Sequence, residues 1–380
     1  MCGFFGVVSI DDKIIDEDII SIKKGTEAIK YRGPDDQNIL IDDSFCFGFN
    51  RLSIIDLAAK NQPYHTQDKS VIMMCNGEIY NYKDLKHELL SKGYKFKTKT
   101  DVEVILHGYL EWGNSLWNKL NGIFSIVIYD RRIKKIFLVR DHLGVKPLHY
   151  YIKKNKIYFG SDYNSFLNIT EYQQTLNNSA LLSYLSFRNV IGKQTFYTNI
   201  YDILPGTEIN FDGKSIKENQ YWDIPKETNQ DFGLDFYLKE LDRLLSESVK
   251  KQMTSDVPLG AFISGGLDSS LLLSYVKKHN PNVNTYITGF NELGYNEFDY
   301  AEIVAKALSL KNPKKLEINQ SEYIDTLKQT IRFRGEPTSV PHENAFLKMS
   351  KFMKKDISVV ISGEGADELF GGYGRIFRSP

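Results

Sequence analysis

The sequence predicts two domains of different fold class. The first is an α+β domain of stacked antiparallel sheets with flanking helices, and the second is an α/β domain with a mostly parallel sheet. Strand runs follow one another through the first half of the chain, strands alternate with helices after residue 233, and the polar stretch DIPKETNQDFG separates the two patterns. Strands in series indicate antiparallel pairing, whereas strict alternation indicates a parallel sheet covered on both faces. We therefore expect domains at 2–210 and 235–380, joined by a linker at 211–234.

Six strands and three helices are predicted in the first domain. The strand runs are FCFGFNRLSI, SVIMMCNGEIYN, IFSIVIYD, KKIFLVRD, LHYYIKK and KIYFGSD, and the last four form two consecutive hairpins. The helices are expected at 18–30, 83–92 and 102–111, where the last two are stopped by glycine.

The second domain is predicted to open with the amphipathic helix FYLKELDRLLSESVKKQM, whose leucines and valine share one face. It continues as strand LGAFI, helix SSLLLSYVKKH, strand NTYITGF, helix YAEIVAKALSL, strand KKLEI, helix YIDTLKQTIRF and strand ISVVIS. This order is typical of a doubly covered parallel sheet.

Composition argues against several classes of protein. The 48 basic and 48 acidic residues cancel, which disfavours a nucleic-acid partner. No apolar run approaches the roughly 20 residues that span a bilayer, and the chain does not start like a signal peptide. Cys2, Cys46 and Cys75 do not form a disulfide framework, and the histidines lack metal-ligand spacing. We expect a cytoplasmic protein that acts on small molecules, without a membrane partner.

The stretch LGAFISGGLDSS has the pattern of a phosphate-binding loop. An apolar strand runs into Ser264, Gly265 and Gly266, and a helix is expected to start near Ser269. Glycines permit a tight turn, and the first amides of a helix bind anions. The lysine of a Walker A loop is missing, and Asp268 would repel a bare phosphate, so Mg²⁺ between them is expected. The alternative is a capped helix after a glycine turn.

A second glycine-rich loop, VVISGEGADELFGGY, also follows an apolar strand and carries acidic residues. Ligands of doubly wound folds bind at the carboxyl ends of parallel strands, so the two loops are expected to face one crevice. Asp268 and Asp367 would share one Mg²⁺, with Ser362 and Gly363 near the nucleotide. The alternative is a solvated, acidic helix start.

Together, SGGLDSS and SGEGADELFGGY resemble the ATP-pyrophosphatase domain of glutamine-hydrolysing asparagine synthetases. The resemblance implies an adenine-nucleotide alpha-hydrolase-like fold, cleavage of ATP to AMP and pyrophosphate, and an acyl-adenylate. It also implies Glu364 as a catalytic acidic residue. The implied ATP-binding residues are Ile263, Ser264, Gly265, Gly266, Asp268, Ser269, Thr288, Ser362 and Gly363.

The first domain resembles the glutaminase domain of the same family, which is of the N-terminal-nucleophile type. The matching stretches are MCGFFG, YRGPDD, RLSII, NGEIYN, TDVEV and RDHLGVKPLHYY. The resemblance implies that Cys2 is the nucleophile once Met1 is removed. The implied glutamine-binding residues are Arg51, Leu52, Ser53, Ile54, Ile55, Asn76, Gly77, Glu78 and Asp101.

Amide hydrolysis suits these residue types. With Met1 removed, Cys2 carries a thiol and an α-amine whose ordinary pKa of about 7.7–8.0 suits a general base. The Asn76 side-chain amide and the Gly77 N–H are expected to hold the oxyanion. Arg51 would clamp the glutamine α-carboxylate, and Asp101 and Glu78 would take its α-ammonium.

Each of these residues also has a structural alternative. Asn76-Gly77 is a common hairpin-turn dipeptide, and Asp101 is a plausible helix N-cap. Arg51 is otherwise a solvated strand residue. Cys2 is otherwise an apolar strand residue, and Cys75 is expected to be buried without a catalytic part.

The resemblance implies an asparagine synthase that joins ammonia from glutamine to aspartate, with the ammonia passing inside the protein. Two departures keep alternatives open. FRGEPTSVPHENAFLKMSKF differs from the better-known bacterial pattern, so another carboxylate, such as a sugar acid of surface polysaccharides, is a second acceptor hypothesis. Because the chain stops at GGYGRIFRSP, a glutaminase or binding protein without synthetase activity is a third hypothesis. A homodimer is a further hypothesis.

Overall fold

The computed structural model describes residues 2–226, 230–290 and 296–374. The chain falls into two compact units, which are taken one at a time below. The first comprises Met1–Lys226 and the short segment Ile331–Val340, and the second comprises Glu227–Thr330 and Pro341–Pro380.

The first unit is built from twelve described strands and five described α-helices. The strands are β1 (Gly3–Ser9), β2 (Asp36–Asp42), β3 (Phe45–Arg51), β4 (Tyr64–His65), β5 (Val71–Ile79), β6 (Gly122–Asp130), β7 (Lys135–Arg140), β8 (His149–Lys153), β9 (Lys156–Gly160), β10 (Ile200–Asp202), β11 (Thr207–Phe211) and β12 (Ile216–Gln220). The helices are α1 (Asp16–Ala28), α2 (Tyr82–Ser91), α3 (Glu103–Trp112), α4 (Tyr163–Phe166) and α5 (Asn178–Phe187), with 3-10 helices at Lys30–Arg32 and Gly113–Lys119.

These strands form two six-stranded sheets that stack face to face. Their orders are β10-β8-β9-β1-β3-β2 and β12-β11-β7-β6-β5-β4, and the paired strands within both are antiparallel. Phe4 and Phe47 of one sheet meet Met74 and Val127 of the other in a buried core. Alternate side chains point to the outer faces, where α1 covers the first sheet and α2 and α3 cover the second. The predicted α+β architecture is confirmed.

The predicted elements of this unit lie close to the observed ones. The six strand runs correspond to β3, β5, β6, β7, β8 and β9, and the hairpins β6–β7 and β8–β9 are both paired. The three helices correspond to α1, α2 and α3. The strands β2 and β12 were not expected, because DQNILID and IKENQ are polar edge strands without a strong apolar signal.

The first unit extends further along the chain than the expected boundary at residue 210. β12 lies inside the expected linker 211–234, yet it pairs along its whole length with β11. Just beyond it, the Tyr221 hydroxyl donates to the Arg140 carbonyl oxygen at 2.6 Å. The unit therefore ends near residue 226, and backbone pairing rather than composition sets this end.

Side chains of the first unit also hold the backbone of segment 331–340. The Tyr31 hydroxyl donates to the Phe333 carbonyl at 3.0 Å, and the Tyr184 hydroxyl to the Thr338 carbonyl at 2.8 Å. The Tyr197 hydroxyl donates to the Gly335 carbonyl, and the Asn164 amide to the Arg332 carbonyl. The expected second domain, 235–380, therefore includes ten residues that belong to the first unit.

The second unit has the predicted parallel sheet. Its strands are β13 (Leu259–Phe262), β14 (Asn284–Phe290), β15 (Lys314–Ile318) and β16 (Val359–Ile361), in the order β15-β14-β13-β16. The helices are α6 (Leu234–Gln252), α7 (Leu267–His279), α8 (Phe298–Ala307), α9 (Tyr323–Arg334), whose last turn belongs to segment 331–340, α10 (Glu343–Met353) and α11 (Ala366–Phe370). All described strand pairs in this sheet are parallel.

Helices cover both faces of this sheet. Leu273 and Ala301 of α7 and α8 join Ile263 and Ile287 on one face. Met349 and Met353 of α10 lie with Tyr286 and Leu316 on the other. The predicted α/β class is confirmed, although the helix α10 was not among the predicted elements.

Candidate active site

Cys2 lies at the start of β1, beside the end of β3. The pairing of Gly3 with Asn50 brings Cys2 next to Leu52. The Leu52 N–H donates to Cys2 Sγ at 3.4 Å, and the thiol lies 3.7 Å from the Leu52 carbonyl oxygen. Burial raises the pKa of the Cys2 thiol. The thiol therefore needs a nearby base to become a nucleophile. Met1, whose removal the sequence predicts, lies outside the described residues.

The pocket around Cys2 gathers most of the residues that the glutaminase resemblance names. They come from four separate stretches of the chain, and sheet pairing and the α3 start bring them together. The lining includes Cys2, Arg51, Leu52, Ile54, Ile55, Asn76, Gly77, Glu78 and Asp101. Ser53 is the exception, because it is not part of this lining and its N–H donates to the Asp35 carboxylate at 2.8 Å.

Asn76 and Gly77 lie inside β5, where they pair with Ser125 and Phe124 of β6. The hairpin-turn alternative is therefore wrong. Asn76 is buried, and its Nδ2 has no hydrogen-bond partner within the described ranges. An unpaired buried donor is costly and rare, so this amide is available to a ligand in the pocket. A Cβ at Gly77 would lie 2.2 Å from the Ile123 carbonyl oxygen, which explains the glycine.

Arg51 is buried rather than solvated, so its structural alternative is wrong as well. Its Nη1 donates to the Ala59 carbonyl at 2.5 Å, and its Nη2 donates to the carbonyls of Asp56 at 2.6 Å and Ile55 at 3.3 Å. These bonds use three of the five guanidinium N–H groups. Arg51 therefore shapes the loop that follows β3, and within the described residues its Nε and one Nη1 hydrogen remain to contact a carboxylate.

Two carboxyl groups, the half-buried Glu78 and the buried Asp101, provide the acidic side of the pocket. Asp101 Oδ2 accepts a hydrogen bond from the Ile79 N–H at 2.7 Å. Burial, with a further contribution from Glu78, raises the pKa of Asp101 to about 7. Burial also raises the pKa of Glu78, which the Lys146 ammonium partly offsets. The helix α3 begins at Glu103, so Asp101 is not its N-cap residue.

Several lining residues were not predicted as site residues: Gln62, Tyr64, Cys75, Thr100, Val102 and Lys146. The Gln62 side-chain amide bonds both backbone groups of Cys75, with Nε2 donating to the carbonyl at 3.0 Å and Oε1 accepting from the N–H at 2.7 Å. The Gln62 side chain thus makes the two backbone hydrogen bonds to Cys75 that a neighbouring strand would otherwise make. Cys75 is buried, as predicted. Lys146 belongs to RDHLGVKPLHYY, a stretch for which the family resemblance names no site residue.

The SGGLDSS loop connects β13 to α7 in the second unit. The helix starts at Leu267, two residues earlier than expected, which puts Asp268 and Ser269 in its first turn. The Ser264 and Ser269 hydroxyls are 2.8 Å apart, and the Gly266 N–H donates to Ser264 Oγ at 3.2 Å. First-turn amides have no partner inside a helix, so this loop offers donors to an anion.

The two glycine-rich loops are neighbours, because β13 and β16 pair in parallel. A Cβ at Gly363 would lie 3.5 Å from the Ser269 backbone nitrogen. Ile263 continues β13, where its N–H donates to the Tyr286 carbonyl at 3.0 Å. Thr288 lies in β14, and its buried hydroxyl has no partner among the described residues. Glu364 is exposed in the second loop. This end of the sheet therefore has the glycines and polar donors that a nucleotide needs.

The shared Mg²⁺ site stays a prediction. In the part of the chain that the structure describes, no group of three or more His, Cys, Asp or Glu side chains is placed to hold a metal ion. The Asp367 carboxylate lies against Gly372, where an added Cβ would meet Oδ1 at 2.0 Å. Asp268 is exposed at the α7 start. A single carboxylate of this kind fits Mg²⁺ that takes its other ligands from phosphates and water.

None of the helices in the described ranges is both long and apolar enough to cross a lipid bilayer.

Comparison with known proteins finds a matching family for each of the two units. The family described as glutamine amidotransferase domain matches residues 1–222, and the family described as asparagine synthase matches residues 240–380. The putative asparagine synthetase [glutamine-hydrolyzing] 2 of Methanocaldococcus jannaschii is 32% identical over 398 residues, which cover 98% of this chain and 76% of that protein. The chain belongs to the glutamine-hydrolysing asparagine synthetase family. The predicted family resemblance is thereby confirmed.

Other members of the asparagine synthetase family are similar over the whole chain. Asparagine synthetase [glutamine-hydrolyzing] 1 of Bacillus subtilis is 35% identical over 387 residues, which cover 100% of this chain and 60% of that protein.

The solved structure of glutamine phosphoribosylpyrophosphate amidotransferase from B. subtilis, complexed with ADP and GMP, has a TM-score of 0.42 at 13% identity. The match covers 77% of this chain and 67% of that one. The chain spans 52–60% of the length of several curated relatives.

Proposed function

We propose that this chain catalyses glutamine-dependent asparagine synthesis, in which L-aspartate, L-glutamine, ATP and water give L-asparagine, L-glutamate, AMP and pyrophosphate. The observation that supports it best is the pocket that joins the Cys2 thiol, the unpaired Asn76 amide and the acidic pair of Glu78 and Asp101. Such a pocket has a nucleophile, an oxyanion donor and charges for a free amino acid. Family membership supports the synthetase half.

In the glutaminase half, Cys2 Sγ attacks the side-chain amide carbon of glutamine, and the Cys2 α-amine takes the thiol proton. The Asn76 Nδ2–H and Gly77 N–H groups stabilise the oxyanion. The α-amine then protonates the leaving nitrogen, which departs as ammonia and leaves a thioester on Cys2. Water hydrolyses the thioester to glutamate and regenerates the thiol. Arg51 holds the α-carboxylate and Asp101, with Glu78, holds the α-ammonium.

In the synthetase half, the loops at 264–269 and 362–364 bind ATP, and the aspartate β-carboxylate attacks the α-phosphorus, releasing pyrophosphate and forming an acyl-adenylate. Ammonia then displaces AMP. Asp268, with Asp367 as the predicted second ligand, would hold Mg²⁺, which when bound neutralises charge on the pyrophosphate. The Leu267–Ser269 amides orient the phosphates. Thr288 and Ile263 lie where adenosine is expected, and Glu364 is expected to assist adenylation.

The glutaminase half is tested by measuring glutamate release with matched cysteine variants. Cys2→Ala should abolish glutamate release, because it removes the thiol that forms the thioester in the proposed reaction. Cys46→Ala should keep it, since Cys46 is buried in β3 and is not part of the pocket lining. Intact mass should show the loss of Met1. Glutamate release by Cys2→Ala at the rate of the parent protein would contradict the assignment.

The synthetase half is tested by measuring pyrophosphate release from Mg-ATP with and without aspartate, with either glutamine or ammonia as the nitrogen source. We expect aspartate-dependent pyrophosphate matched by asparagine, and Cys2→Ala should retain the ammonia-dependent reaction. Glutamate release without any aspartate dependence would contradict the aspartate assignment and favour another carboxylate acceptor.

We extend the proposal to a cytoplasmic, homodimeric enzyme. The small-molecule chemistry of the pocket supports the cytoplasmic part of this proposal, and the homodimer carries forward the hypothesis made from the sequence. Cell fractionation tests the location. Sedimentation velocity across a range of protein concentrations tests the dimer, and a single monomeric species throughout would contradict it.

A further inference from the structure

Lys146 is a buried cation in the Cys2 pocket to which the mechanism above gives no role. It is 7% exposed and lines the same cavity as Cys2, Asn76 and Glu78. A lysine is seldom buried unless its charge has a partner or a use. Its surroundings therefore need an account.

The backbone around Lys146 is fixed by one buried carboxylate. Asp141 Oδ1 accepts hydrogen bonds from the N–H groups of Leu143 at 3.2 Å and Val145 at 2.9 Å. Asp141 Oδ2 accepts from Lys146 N–H at 2.9 Å and Phe124 N–H at 3.2 Å. The loop after β7 is thus wrapped around Asp141 and tied to β6. The Lys146 side chain consequently enters the pocket from a rigid support.

The Lys146 ammonium acts on two groups of the reaction. Lys146 and Glu78 shift each other's pKa, with Glu78 favouring the charged lysine and Lys146 favouring the charged carboxylate. Burial opposes both charges, so the pair lessens the cost of each. Burial has the largest effect on the pKa of the Cys2 thiol and raises it, whereas the Leu52 hydrogen bond, the Arg51 charge and then the Lys146 charge lower it. A cation acts in the same direction on the Cys2 α-amine, because it disfavours a second positive charge nearby.

Several elements next to Cys2 contribute further charged groups. Arg32 Nε donates to the Cys2 carbonyl oxygen at 3.3 Å and is anchored by Asp162. The remaining titratable or charged groups include Arg51 at the end of β3, Tyr64 in β4, Cys75 and Glu78 in β5, Asp101 before α3, and Asp141 after β7. Arg51 donates three hydrogen bonds within its own loop and is assigned to the substrate α-carboxylate, and Arg32 contacts a carbonyl and an aspartate. Lys146 acts on both the Cys2 thiol and Glu78.

We propose that Lys146 is a positioning residue of the glutaminase site, whose ammonium holds Glu78 ionised toward the substrate and favours the deprotonated forms of the Cys2 thiol and α-amine. This inference rests on the proposed function of the pocket. It assigns Lys146 no bond to the reacting atoms. Its charge, rather than its hydrogen bonds or bulk, is the required property.

The experiment compares Lys146→Met, Lys146→Arg and the control Lys60→Met, which removes an exposed lysine of the loop after β3. The first readout is the pH dependence of Cys2 alkylation by iodoacetamide, followed by peptide mass. Lys146→Met should move the midpoint upward by about 0.5–1 pH unit. Lys146→Arg should restore it, and Lys60→Met should match the parent protein.

The second readout is the pH profile of glutaminase kcat/KM. Lys146→Met should move its acid limb to higher pH and lower kcat/KM about tenfold near pH 7, while ammonia-dependent synthesis is unchanged. Thermal unfolding, and the double variant Lys146→Met/Glu78→Gln, separate misfolding from loss of charge, because the double variant leaves no unpaired carboxylate. In that variant the alkylation midpoint should still lie above that of Glu78→Gln alone.

Identical pH profiles of Cys2 alkylation for Lys146→Met and the parent protein would overturn the inference. A folded Lys146→Arg variant that fails to restore the parent profile would overturn it as well. Alkylation needs neither glutamine nor turnover. A parent protein without glutaminase activity would therefore count against the proposed function, whereas the alkylation series would still decide the electrostatic role of Lys146.

Discussion

At the scale of single residues, two polar groups of the Cys2 pocket are unfavourable for the fold and useful for binding. Asn76 Nδ2 is buried without a partner in the described chain, and Asp101 is a fully buried carboxyl group. Desolvation makes each costly in the free protein. Bound glutamine would relieve both costs. Its side-chain carbonyl oxygen would accept a hydrogen bond from the Asn76 amide, and its α-ammonium would favour the ionised form of the Asp101 carboxyl group. The pocket is thus prepared for a ligand of this kind.

The raised pKa of Asp101, about 7, predicts that glutamine binding depends on pH. Below this value the carboxyl group is protonated and cannot pair with the α-ammonium, so KM for glutamine should rise about tenfold per pH unit. Asp101→Asn should show a high KM that no longer changes between pH 6 and 8. A parent KM that is constant over this range would contradict the prediction.

The same pKa predicts a stability effect of opposite sign to that of a salt-bridged aspartate. The folded protein binds the Asp101 proton more tightly than the unfolded chain, so this group favours folding below about pH 4 and this contribution is lost as pH rises toward 7. Asp101→Asn has no carboxyl group to ionise, so it avoids this loss of stability as pH rises. Its side-chain oxygen still accepts the hydrogen bond from the Ile79 N–H. We expect it to raise the free energy of unfolding at pH 8 by roughly 2 kcal/mol. Chemical denaturation at pH 8 tests this, and a less stable variant would contradict it.

At the scale of elements, glycines serve two different purposes. In β5, Gly77 permits close pairing with β6, because a Cβ would lie 2.6 Å from the Phe124 Cα as well as near the Ile123 carbonyl. At the start of α7, Gly266 has a φ of −73° and only the Ser264 hydroxyl near its missing Cβ, at 3.3 Å. The first glycine is required by packing, whereas the second leaves space next to the helix amides.

This contrast predicts opposite results for two alanine variants. Gly77→Ala should lower the free energy of unfolding by about 2–3 kcal/mol, because the strands must separate. Gly266→Ala should change it by less than about 0.5–1 kcal/mol but reduce pyrophosphate release, since the methyl group crowds the anion site. Thermal unfolding and the pyrophosphate assay check both. Equal destabilisation by the two variants would show that Gly266 is also a packing glycine.

The observed elements also show which local sequence patterns were sufficient to predict a strand or a helix. β5 and β6 alternate between two cores, so their strongly apolar composition predicted strands. β12 has no such pattern, because one partner strand supplies its hydrogen bonds at a sheet edge and little of it is buried. Likewise, α10 has Phe346, Met349 and Met353 on its sheet face, yet no helix was predicted there.

At the scale of the whole molecule, the first unit is not continuous in sequence. Segment 331–340 belongs to it through hydrogen bonds from side chains to backbone carbonyls, among them those from Tyr184 and Tyr197. Such bonds depend on backbone geometry and place little demand on the side chains of the segment. Composition along the chain therefore carries no sign of them.

The attachment of this segment predicts its resistance to proteolysis. In Tyr184→Phe/Tyr197→Phe, two hydrogen bonds worth about 0.5–1.5 kcal/mol each are lost, so trypsin should cleave after Arg332 and Arg334 about tenfold faster. Tyr172→Phe is the matched control, because its hydroxyl donates to the Thr198 carbonyl and not to the segment. Equal cleavage rates in the double variant and the control would contradict the prediction.

The sequence by itself determined the two fold classes and the order of the main strands and helices, and its family resemblance named more than half of the residues that line the Cys2 pocket. It could do so because alternating burial leaves a local periodicity and because the site residues lie in contiguous stretches. Only the tertiary structure decided that Arg51 also supports its own loop, that Asp101 is buried to a pKa of about 7, that Lys146 enters the pocket and that segment 331–340 joins the first unit. Burial, charge coupling and long-range hydrogen bonds depend on neighbours that are distant in the chain, so no local pattern encodes them.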